Sequence, residues 1–257
     1  MARMLDTAEP VFVCGLGRSG TSWISKSLGQ SHELFYVKET WLIAKFQDLV
    51  DWYSMLYDKW TGFTPWNEKG IDRKQFVEML SRFYKDLLLK VSDGSRIIEK
   101  TPGLNVLHLK LLNELFPEAY YILIYRDGRN YVASLESKKA KQKEEFKFEK
   151  SCIRWATAMD IFEQIEQKNM IRNYRMIRYE DLLLNFDGIF TGLCSFVGIK
   201  AFKPDSFKPN SSFESFESSK DFNNRWKDWS EEKKNIFKKC AGAQLLKWRY
   251  EDSLDSW

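Results

Sequence analysis

The fold is decided by the stretch VFVCGLGRSGTSW, which occupies positions 11–23. It opens with four apolar residues, passes through a glycine-containing segment and continues from Ser22 in a helical pattern. Strand, loop and helix in this order form the context in which a loop can hold a phosphate group. Glycines let the backbone approach the phosphate, and the N–H groups at the start of the helix point towards it. The stretch therefore predicts a phosphate-binding loop, although a glycine turn that serves packing alone has the same local pattern.

The loop lacks one residue that nucleoside triphosphatases need. Gly15 and Gly20 have the spacing of their P-loop, but Thr21 stands where that motif has its lysine. The lysine binds the β- and γ-phosphates, so a triphosphate would lose its main cation here. A ligand with a single 5′-phosphate needs only the loop, its hydroxyl groups and a nearby cation, for which Arg18 is the candidate.

Strand and helix patterns alternate along the rest of the chain. Strands are predicted at 11–14, 96–99, 120–125 and 174–179, and helices at 22–28, 76–91, 104–116, 148–167, 182–197 and 231–248, with another starting at 130. The strand YYILIY at 120–125 is apolar without alternation, as expected of a strand buried on both faces. The charged segment 138–150 predicts a solvated helix face. We therefore expect an α/β fold of one domain over residues 1–257, with a central parallel sheet flanked by helices and a P-loop-like loop. Ligands should bind at the carboxyl ends of the strands.

Composition narrows the class of protein. The formal net charge of +4 arises from 40 basic and 36 acidic residues, without the concentrated basic stripe of a nucleic-acid-binding surface. The four cysteines are far apart, which argues for buried free thiols and against a zinc or disulfide framework: Cys14, Cys152, Cys194 and Cys240. No apolar run reaches the length of a signal sequence or a membrane span. We expect a soluble cytoplasmic chain with no nucleic-acid partner and no metal site.

A second motif follows the strand at 120–125. The stretch YRDGRNYVASL at 125–135 places Arg126 at the end of the strand, and Ser134 follows it by eight residues on the next helix. A guanidinium presents a charged fork to phosphate, and a serine hydroxyl can add a hydrogen bond. An isolated arginine would more commonly form a structural salt bridge. Two phosphate-binding patterns in this order, each after a predicted strand, favour binding over that alternative.

Together the two motifs resemble those of the sulfotransferases that use 3′-phosphoadenosine 5′-phosphosulfate (PAPS). Residues 17–23 are similar to the loop that holds the 5′-phosphosulfate, with Gly17 where the family usually has proline. Residues 125–135 resemble the motif that binds the 3′-phosphate. The resemblance implies that the donor is bound by these residues: Gly17, Arg18, Ser19, Gly20, Thr21, Ser22, Arg126 and Ser134.

Weaker matches extend over most of the chain. Tyr179 opens a Tyr-Glu-Asp-Leu segment whose tyrosine lies near adenine in the family, and Trp23 corresponds to an adenine-stacking position in some members. Either ring could equally be a core aromatic residue. Residues 203–230 resemble the loop that closes over the cofactor, where Arg225 is the candidate for the 3′-phosphate and Lys220 the alternative.

The resemblance also offers two candidates for the general base that accepts the acceptor's proton. Glu39 follows Arg18 at the spacing of the catalytic glutamate in tyrosylprotein and heparan sulfotransferases. Glu99 opens the segment EKTP, whose lysine, here Lys100, is usually set against the sulfuryl group in heparan-type enzymes. By this carry-over Glu39 is the base, Lys100 and Arg18 stabilise the transition state, and Glu99 supports them or contacts the substrate. His108 lies farther on and is expected to be a surface or core histidine.

The acceptor is expected to bind near the aromatic residues of 41–66. We interpret 41–92 as a helical insertion on the acceptor side, in which most aromatic rings pack the insertion itself. A hydroxyl of a small molecule or carbohydrate is preferred over protein tyrosine, because the sequence shows no membrane anchor of the kind that secretory-pathway enzymes carry.

Two rival functions remain open at this stage. A P-loop nucleotide kinase or nucleoside triphosphatase should have an aspartate ending a hydrophobic strand to hold magnesium, and Asp127 only mimics it, displaced behind Arg126. A non-catalytic nucleotide-binding protein of the same fold would keep the loop with an inert Glu39 and Lys100.

Overall fold

A computed structural model describes residues 9–59, 68–205 and 222–254. The strands are β1 Val11–Gly15, β2 Phe35–Lys38, β3 Ile97–Lys100, β4 Tyr120–Tyr125 and β5 Tyr174–Arg178. The helices are α1 Thr21–Leu28, α2 Leu42–Lys59, α3 Arg73–Val91, α4 Leu104–Leu107, α5 Leu109–Leu115, α6 Gly128–Gln142, α7 Phe148–Lys168, α8 Tyr179–Leu184, α9 Phe186–Val197 and α10 Glu231–Lys247, with a 3₁₀ helix at Phe222–Asp228.

The five strands form one parallel sheet in the order β2-β3-β1-β4-β5, so the predicted fold class is confirmed. β1 lies at the centre, between β3 and β4. The connection after β1 runs to β2 on one side, and the connection after β4 runs to β5 on the other, so the direction of the connections reverses between β1 and β4. Open α/β sheets bind ligands beyond the carboxyl ends of their strands at such a point. The phosphate loop, the Glu39 segment, Lys100 and Arg126 all follow or end a strand at that edge.

The strands inside the sheet are buried, and β1 and β4 are apolar along most of their length. Val11 and Val13 belong to one core cluster, with residues of α1, α8 and α9. Phe12 and Cys14 belong to the other, with residues of α2, α3, α5, α6, α7 and α10. Two layers of helices therefore cover the sheet and fix the loops at its carboxyl edge.

Several element boundaries differ from the sequence prediction. β2 was not predicted, because an edge strand of four residues has a weak pattern and Phe35 is exposed. The helix predicted at 104–116 is broken at His108, whose backbone leaves the helical region. The charged segment 138–150 is interrupted after α6, which ends at Gln142 and is followed by Lys143 in the left-handed conformation. Tyr179 begins α8 instead of ending β5, and Asn185 separates α8 from α9 by capping the latter with its side chain.

The predicted insertion contains two long helices that pack through aromatic rings. Tyr53 of α2 stacks on Phe76 of α3 with ring centroids 4.0 Å apart, and Phe46 meets Tyr84 edge to face at 5.2 Å. The rest of the aromatic stretch, residues 60–66, lies outside the described residues, as do 206–221 of the predicted closing loop. Within the described ranges, no helix has the length and apolar character needed to cross a membrane.

Candidate active site

The phosphate loop is shaped by glycines that have no room for a side chain. A Cβ on Gly15 would collide with the carbonyl oxygen of Ile124 and with the Thr21 methyl group. Gly20 has φ +86°, which favours glycine, and a Cβ there would lie 2.8 Å from the Tyr179 ring. α1 begins directly after it, so the N–H groups of the first helical turn face the loop. The loop therefore has the backbone geometry of an anion cradle.

Two arginines and a serine meet beside this loop. The Arg18 Nε donates a hydrogen bond to the Ser134 Oγ at 3.1 Å, and the Arg126 Nη1 donates to the Arg18 carbonyl oxygen at 2.7 Å. Arg126 is buried and lies over the Tyr179 ring, 4.5 Å from its centroid. Burial lowers the pKa of Arg18, and the positive charge of Arg126 lowers it further. Arg18 has no ion-pair partner in the described part of the chain. Positive charge concentrated in this way suits an anionic ligand.

Asp127, which follows Arg126, forms hydrogen bonds that stabilise the local structure. Its carboxylate accepts hydrogen bonds from the backbone N–H and the guanidinium of Arg129, and it caps α6. The Arg126 carbonyl oxygen accepts a hydrogen bond from the Trp155 Nε1 at 2.9 Å, which fixes the end of β4. Because both carboxylate oxygens of Asp127 accept hydrogen bonds from Arg129, this residue does not match the magnesium-binding aspartate of P-loop enzymes.

Glu39 and Lys100 form an ion pair at the same edge of the sheet. Parallel pairing sets Lys38 opposite Lys100, so the residue after β2 lies beside the end of β3. The Lys100 Nζ donates to the Glu39 Oε1 at 2.8 Å, and the side-chain exposures are 3% and 27%. The partly exposed carboxylate of Glu39 therefore contacts the buried ammonium group of Lys100.

Glu99 is fully buried in a separate hydrogen-bond network. Its carboxylate accepts hydrogen bonds from the Thr101 hydroxyl, from the Asn105 Nδ2 at 2.7 Å, and from the backbone N–H and hydroxyl of Thr40. The Thr40 hydroxyl also shares a hydrogen bond of 2.9 Å with the Tyr84 hydroxyl. Burial raises the pKa of Glu99, and the Thr101 and Asn105 hydrogen bonds oppose that rise. Neighbours in a strand point to opposite faces, so Glu99 and Lys100 have different environments.

The raised pKa of Glu99 predicts a pH-dependent effect of Glu99→Gln on stability. The unfolded-state pKa of glutamate is about 4.3, and the folded-state value lies above it. The contribution of Glu99 to stability is therefore full below about pH 4.3 and falls as pH rises through the folded-state pKa. Glutamine does not titrate. Between about pH 4.3 and the folded-state pKa of Glu99, the unfolding free energy of Glu99→Gln should rise relative to that of wild type. The rise should be about 1.4 kcal/mol for each unit by which the folded-state pKa exceeds the unfolded-state pKa. Urea unfolding at a series of pH values measures it, and a difference independent of pH would contradict this account.

The remaining predicted donor-binding residues surround the loop at different depths. Ser19 and Thr21 are buried, whereas Ser22 is exposed and Gly17 lies beside Pro102. Arg225 donates from its Nη1 to the Ser137 Oγ at 3.0 Å, one helical turn beyond Ser134. Lys220, the alternative to Arg225, lies outside the described residues.

The two aromatic candidates are both buried. Trp23 stacks on Phe186, with ring centroids 4.6 Å apart and planes 6° from parallel, so one face of the indole is covered. Tyr179 packs between Gly20 and the Arg126 guanidinium. Tyr179 therefore lies beside the loop and Arg126, while Trp23 joins the core on the α1 side of the sheet.

Sequence reasoning missed two features of the site. Thr40 and Asn105 complete the Glu99 network, but neither stands in a recognisable pattern. The guanidinium of Arg154, on α7, lies against Gly103 so closely that a Cβ there would collide with it. Gly103 in turn donates to the Gly15 carbonyl oxygen at 2.8 Å, which places Arg154 near the start of the phosphate loop. Arg154 and Gly103 are about fifty positions apart in the chain, so no local sequence pattern predicted their contact.

A sequence model of the sulfotransferase family matches residues 10–204. The chain belongs to the sulfotransferase family. Protein-tyrosine sulfotransferase A of Caenorhabditis elegans is 26% identical over 200 residues, a match that covers 75% of this chain and 50% of the relative. The chain thus spans about half the length of the curated relatives that it matches.

Solved sulfotransferase structures share the fold. The sulfotransferase domain from the Synechococcus PCC 7002 olefin synthase superposes with a TM-score of 0.55 at 16% identity, covering 93% of this chain and 98% of that domain. The sulfotransferase from Alicyclobacillus acidocaldarius has a TM-score of 0.54 at 14% identity, covering 96% of this chain and 98% of that one. At this level of identity the likeness extends to the fold alone.

Proposed function

We propose that this chain transfers a sulfuryl group from PAPS to an acceptor hydroxyl, using Glu39 as the general base. The observation that carries the proposal is the position of the Glu39–Lys100 pair at the same sheet edge as the Arg18, Arg126 and Ser134 cluster. The pair supplies a proton acceptor and a cation, and the cluster supplies a place for phosphate. Membership of the sulfotransferase family supports the same chemistry.

The residues present fit a nucleotide with two separate phosphate groups. The loop from Gly17 to Ser22 would hold the 5′-phosphosulfate with its backbone N–H and hydroxyl groups. Arg126 and Ser134 would hold the 3′-phosphate, and Arg225 would reach it from the neighbouring turn of α6. The close approach of Arg18 and Arg126, with no ion-pair partner for Arg18 among the described residues, supports binding of an anion between them.

The protein's part in the reaction follows from these groups. When bound, PAPS supplies the sulfuryl group, and adenosine 3′,5′-bisphosphate is the leaving product. Glu39 accepts the proton of the acceptor hydroxyl at a carboxylate oxygen, which makes the oxygen nucleophilic. Lys100 and Arg18 direct positive charge at the region where negative charge grows.

Glu99 suits a supporting role better than that of the base. Its carboxylate is buried completely and its oxygens already accept hydrogen bonds, so an acceptor hydroxyl has no path to it. Glu39 is partly exposed beside Lys100. The observation favours Glu39 between the two glutamates that the sequence left open.

The acceptor hydroxyl of a small molecule or carbohydrate remains our first proposal. Protein tyrosine is the second candidate, because the curated relatives are named protein-tyrosine sulfotransferases. The rival function as a nucleoside triphosphatase is disfavoured by Thr21 in the place of the lysine and by the engagement of Asp127 with Arg129.

Calorimetric titration should show adenosine 3′,5′-bisphosphate binding about tenfold or more tightly than ATP with magnesium. The reason is that one additional charge-assisted phosphate contact contributes about 1.5–3 kcal/mol, equivalent to a tenfold factor or more. Transfer of ³⁵S-labelled sulfate from PAPS to a panel of phenols, alcohols and saccharides then tests catalysis. Tighter binding of ATP would refute the proposal, and bisphosphate binding without transfer to any acceptor would favour the non-catalytic alternative.

A further inference from the structure

The aromatic residues near the acceptor side fall into two groups in the structure. Phe46 and Tyr53 are buried and join the packing of α2 against α3, as most aromatics of this segment were expected to do. Trp41 and Trp52 instead expose 57% and 48% of their surface. Trp52 lies three turns into α2, whereas Trp41 precedes the helix and is two residues from Glu39.

Trp41 has a backbone conformation that a bulky residue rarely adopts. Its φ is +60°, in the left-handed region that favours glycine and asparagine. Strain of this kind persists where the surroundings impose it, and it is concentrated at functional sites. Since the indole is largely exposed, packing of the side chain does not explain why tryptophan occupies this position.

The strain is imposed from both sides of the residue. Before it, the Thr40 N–H donates to the Thr101 Oγ1 at 3.1 Å, and the Thr40 hydroxyl is bonded to Tyr84, so the chain is held against the buried Glu99 network. After it, α2 begins at Leu42, and Ile43 is buried in the core. The turn between these anchors needs a left-handed residue, and glycine or asparagine would satisfy it at lower cost.

Resting on the sulfotransferase function proposed above, we infer that Trp41 recognises the acceptor by stacking against the face of a ring that carries or adjoins the reacting hydroxyl. Two residues of chain span at most about 7 Å, so the indole is within reach of a group bound at the Glu39 carboxylate. An exposed indole offers a broad apolar face at small conformational cost, and it stacks on aryl rings and on the apolar face of a pyranose. Trp41 therefore selects ring-bearing acceptors over acyclic alcohols.

The strain gives this inference a test that separates recognition from folding. We expect Trp41→Gly to raise the urea midpoint of unfolding, because it relieves the left-handed strain, and to weaken ring binding at the same time. Trp41→Phe should keep most of the ring affinity. Trp52→Ala, which removes an exposed indole from the helix that follows Trp41, is the matched control and should leave ring affinity unchanged.

Ring affinity is measured by titrating 4-nitrophenol, methyl α-glucopyranoside and 1-butanol into the complex with adenosine 3′,5′-bisphosphate. Wild type should bind at least one ring compound about tenfold more tightly than 1-butanol, and Trp41→Gly should lose that preference. The two ring compounds distinguish an aryl from a saccharide acceptor. Equal affinity of wild type for all three, or a preference unchanged in Trp41→Gly, would overturn the inference. Affinity for the bisphosphate is recorded separately, so failure of the donor-binding proposal would be recognised by itself.

Discussion

Glu39→Gln is expected to lower kcat for sulfuryl transfer by about 10²- to 10⁴-fold, the usual contribution of a general base. Glutamine keeps the size and hydrogen-bonding reach of the side chain but cannot accept the hydroxyl proton at neutral pH. The KM values for donor and acceptor should change much less, because the lost interaction belongs to the transition state. Steady-state assays with labelled PAPS measure both parameters. Glu99→Gln should retain most of the wild-type kcat.

The substitution also removes the ion-pair partner of Lys100, whose side chain is only 3% exposed, so a loss of stability must be separated from a loss of catalysis. Glu114→Gln is the matched control, since Glu114 is also 27% exposed and pairs with Arg73 away from the site. It should leave kcat unchanged. A second variant, Glu39→Ala, should recover part of its activity when formate is added, because the small carboxylate can replace the missing base. Full turnover by folded Glu39→Gln, with loss of turnover in folded Glu99→Gln, would show that the base had been assigned to the wrong glutamate.

The choice between these glutamates illustrates what the sequence could not decide. Both match segments of related enzymes, but only Glu99 ends a predicted strand, because β2, which precedes Glu39, was not predicted from the sequence. The difference between them is burial, which depends on the pairing of β2 with β3 and on Thr40, Thr101 and Asn105 closing around Glu99. The β2–β3 pairing and the Thr40–Glu99 contact join residues about sixty positions apart and leave no periodic pattern in a single sequence. The local pattern therefore did not separate the two glutamates, and only the family resemblance favoured Glu39.

The fold was more accessible because its central strands carry a strong signal. β1 and β4 are apolar along most of their length, as strands covered on both faces must be, and the structure places both at the centre of the sheet. β2 carries a weaker signal: it lies at the edge, has four residues, and exposes Phe35 and Lys38. Local composition therefore predicts β1 and β4 well and misses β2, whereas the other edge strand, β5, was predicted to within one residue.

The cluster of Arg18, Arg126 and Ser134 could be predicted from the sequence in part. The loop and the Arg126 motif were each recognisable from a glycine or arginine after an apolar strand. Their meeting was predicted by the rule that parallel strands present their carboxyl ends at one edge. The hydrogen bond from Arg18 to Ser134 joins positions 116 residues apart and adds a detail that the rule does not give. For Trp23, the sequence could not show that Phe186 covers one face of the ring.

Arg126→Met is expected to remove most of the preference for adenosine 3′,5′-bisphosphate over adenosine 5′-monophosphate. A charge-assisted hydrogen bond to phosphate contributes about 1.5–3 kcal/mol, so the ratio of the two Kd values should fall by about 10- to 150-fold. Ligands without the 3′-phosphate should be affected less. Arg126→Lys keeps the charge but not the planar fork and should fall between wild type and Arg126→Met. Calorimetric titration of both nucleotides measures the ratio directly.

A second contact of Arg126 suggests which result would contradict this assignment. Arg126 donates to the Arg18 carbonyl oxygen within the phosphate loop, so its removal could loosen the loop itself. In that case both nucleotides would lose affinity equally and the ratio would stay constant. Arg172→Met, which removes an exposed arginine paired with Glu118 at the opposite end of the strands, is the control for nonspecific charge effects and should change neither Kd. A selective loss of the 3′-phosphate contribution, with Arg172→Met unchanged, assigns Arg126 to the second phosphate site, because loop distortion would act on the 5′-phosphate that both ligands share.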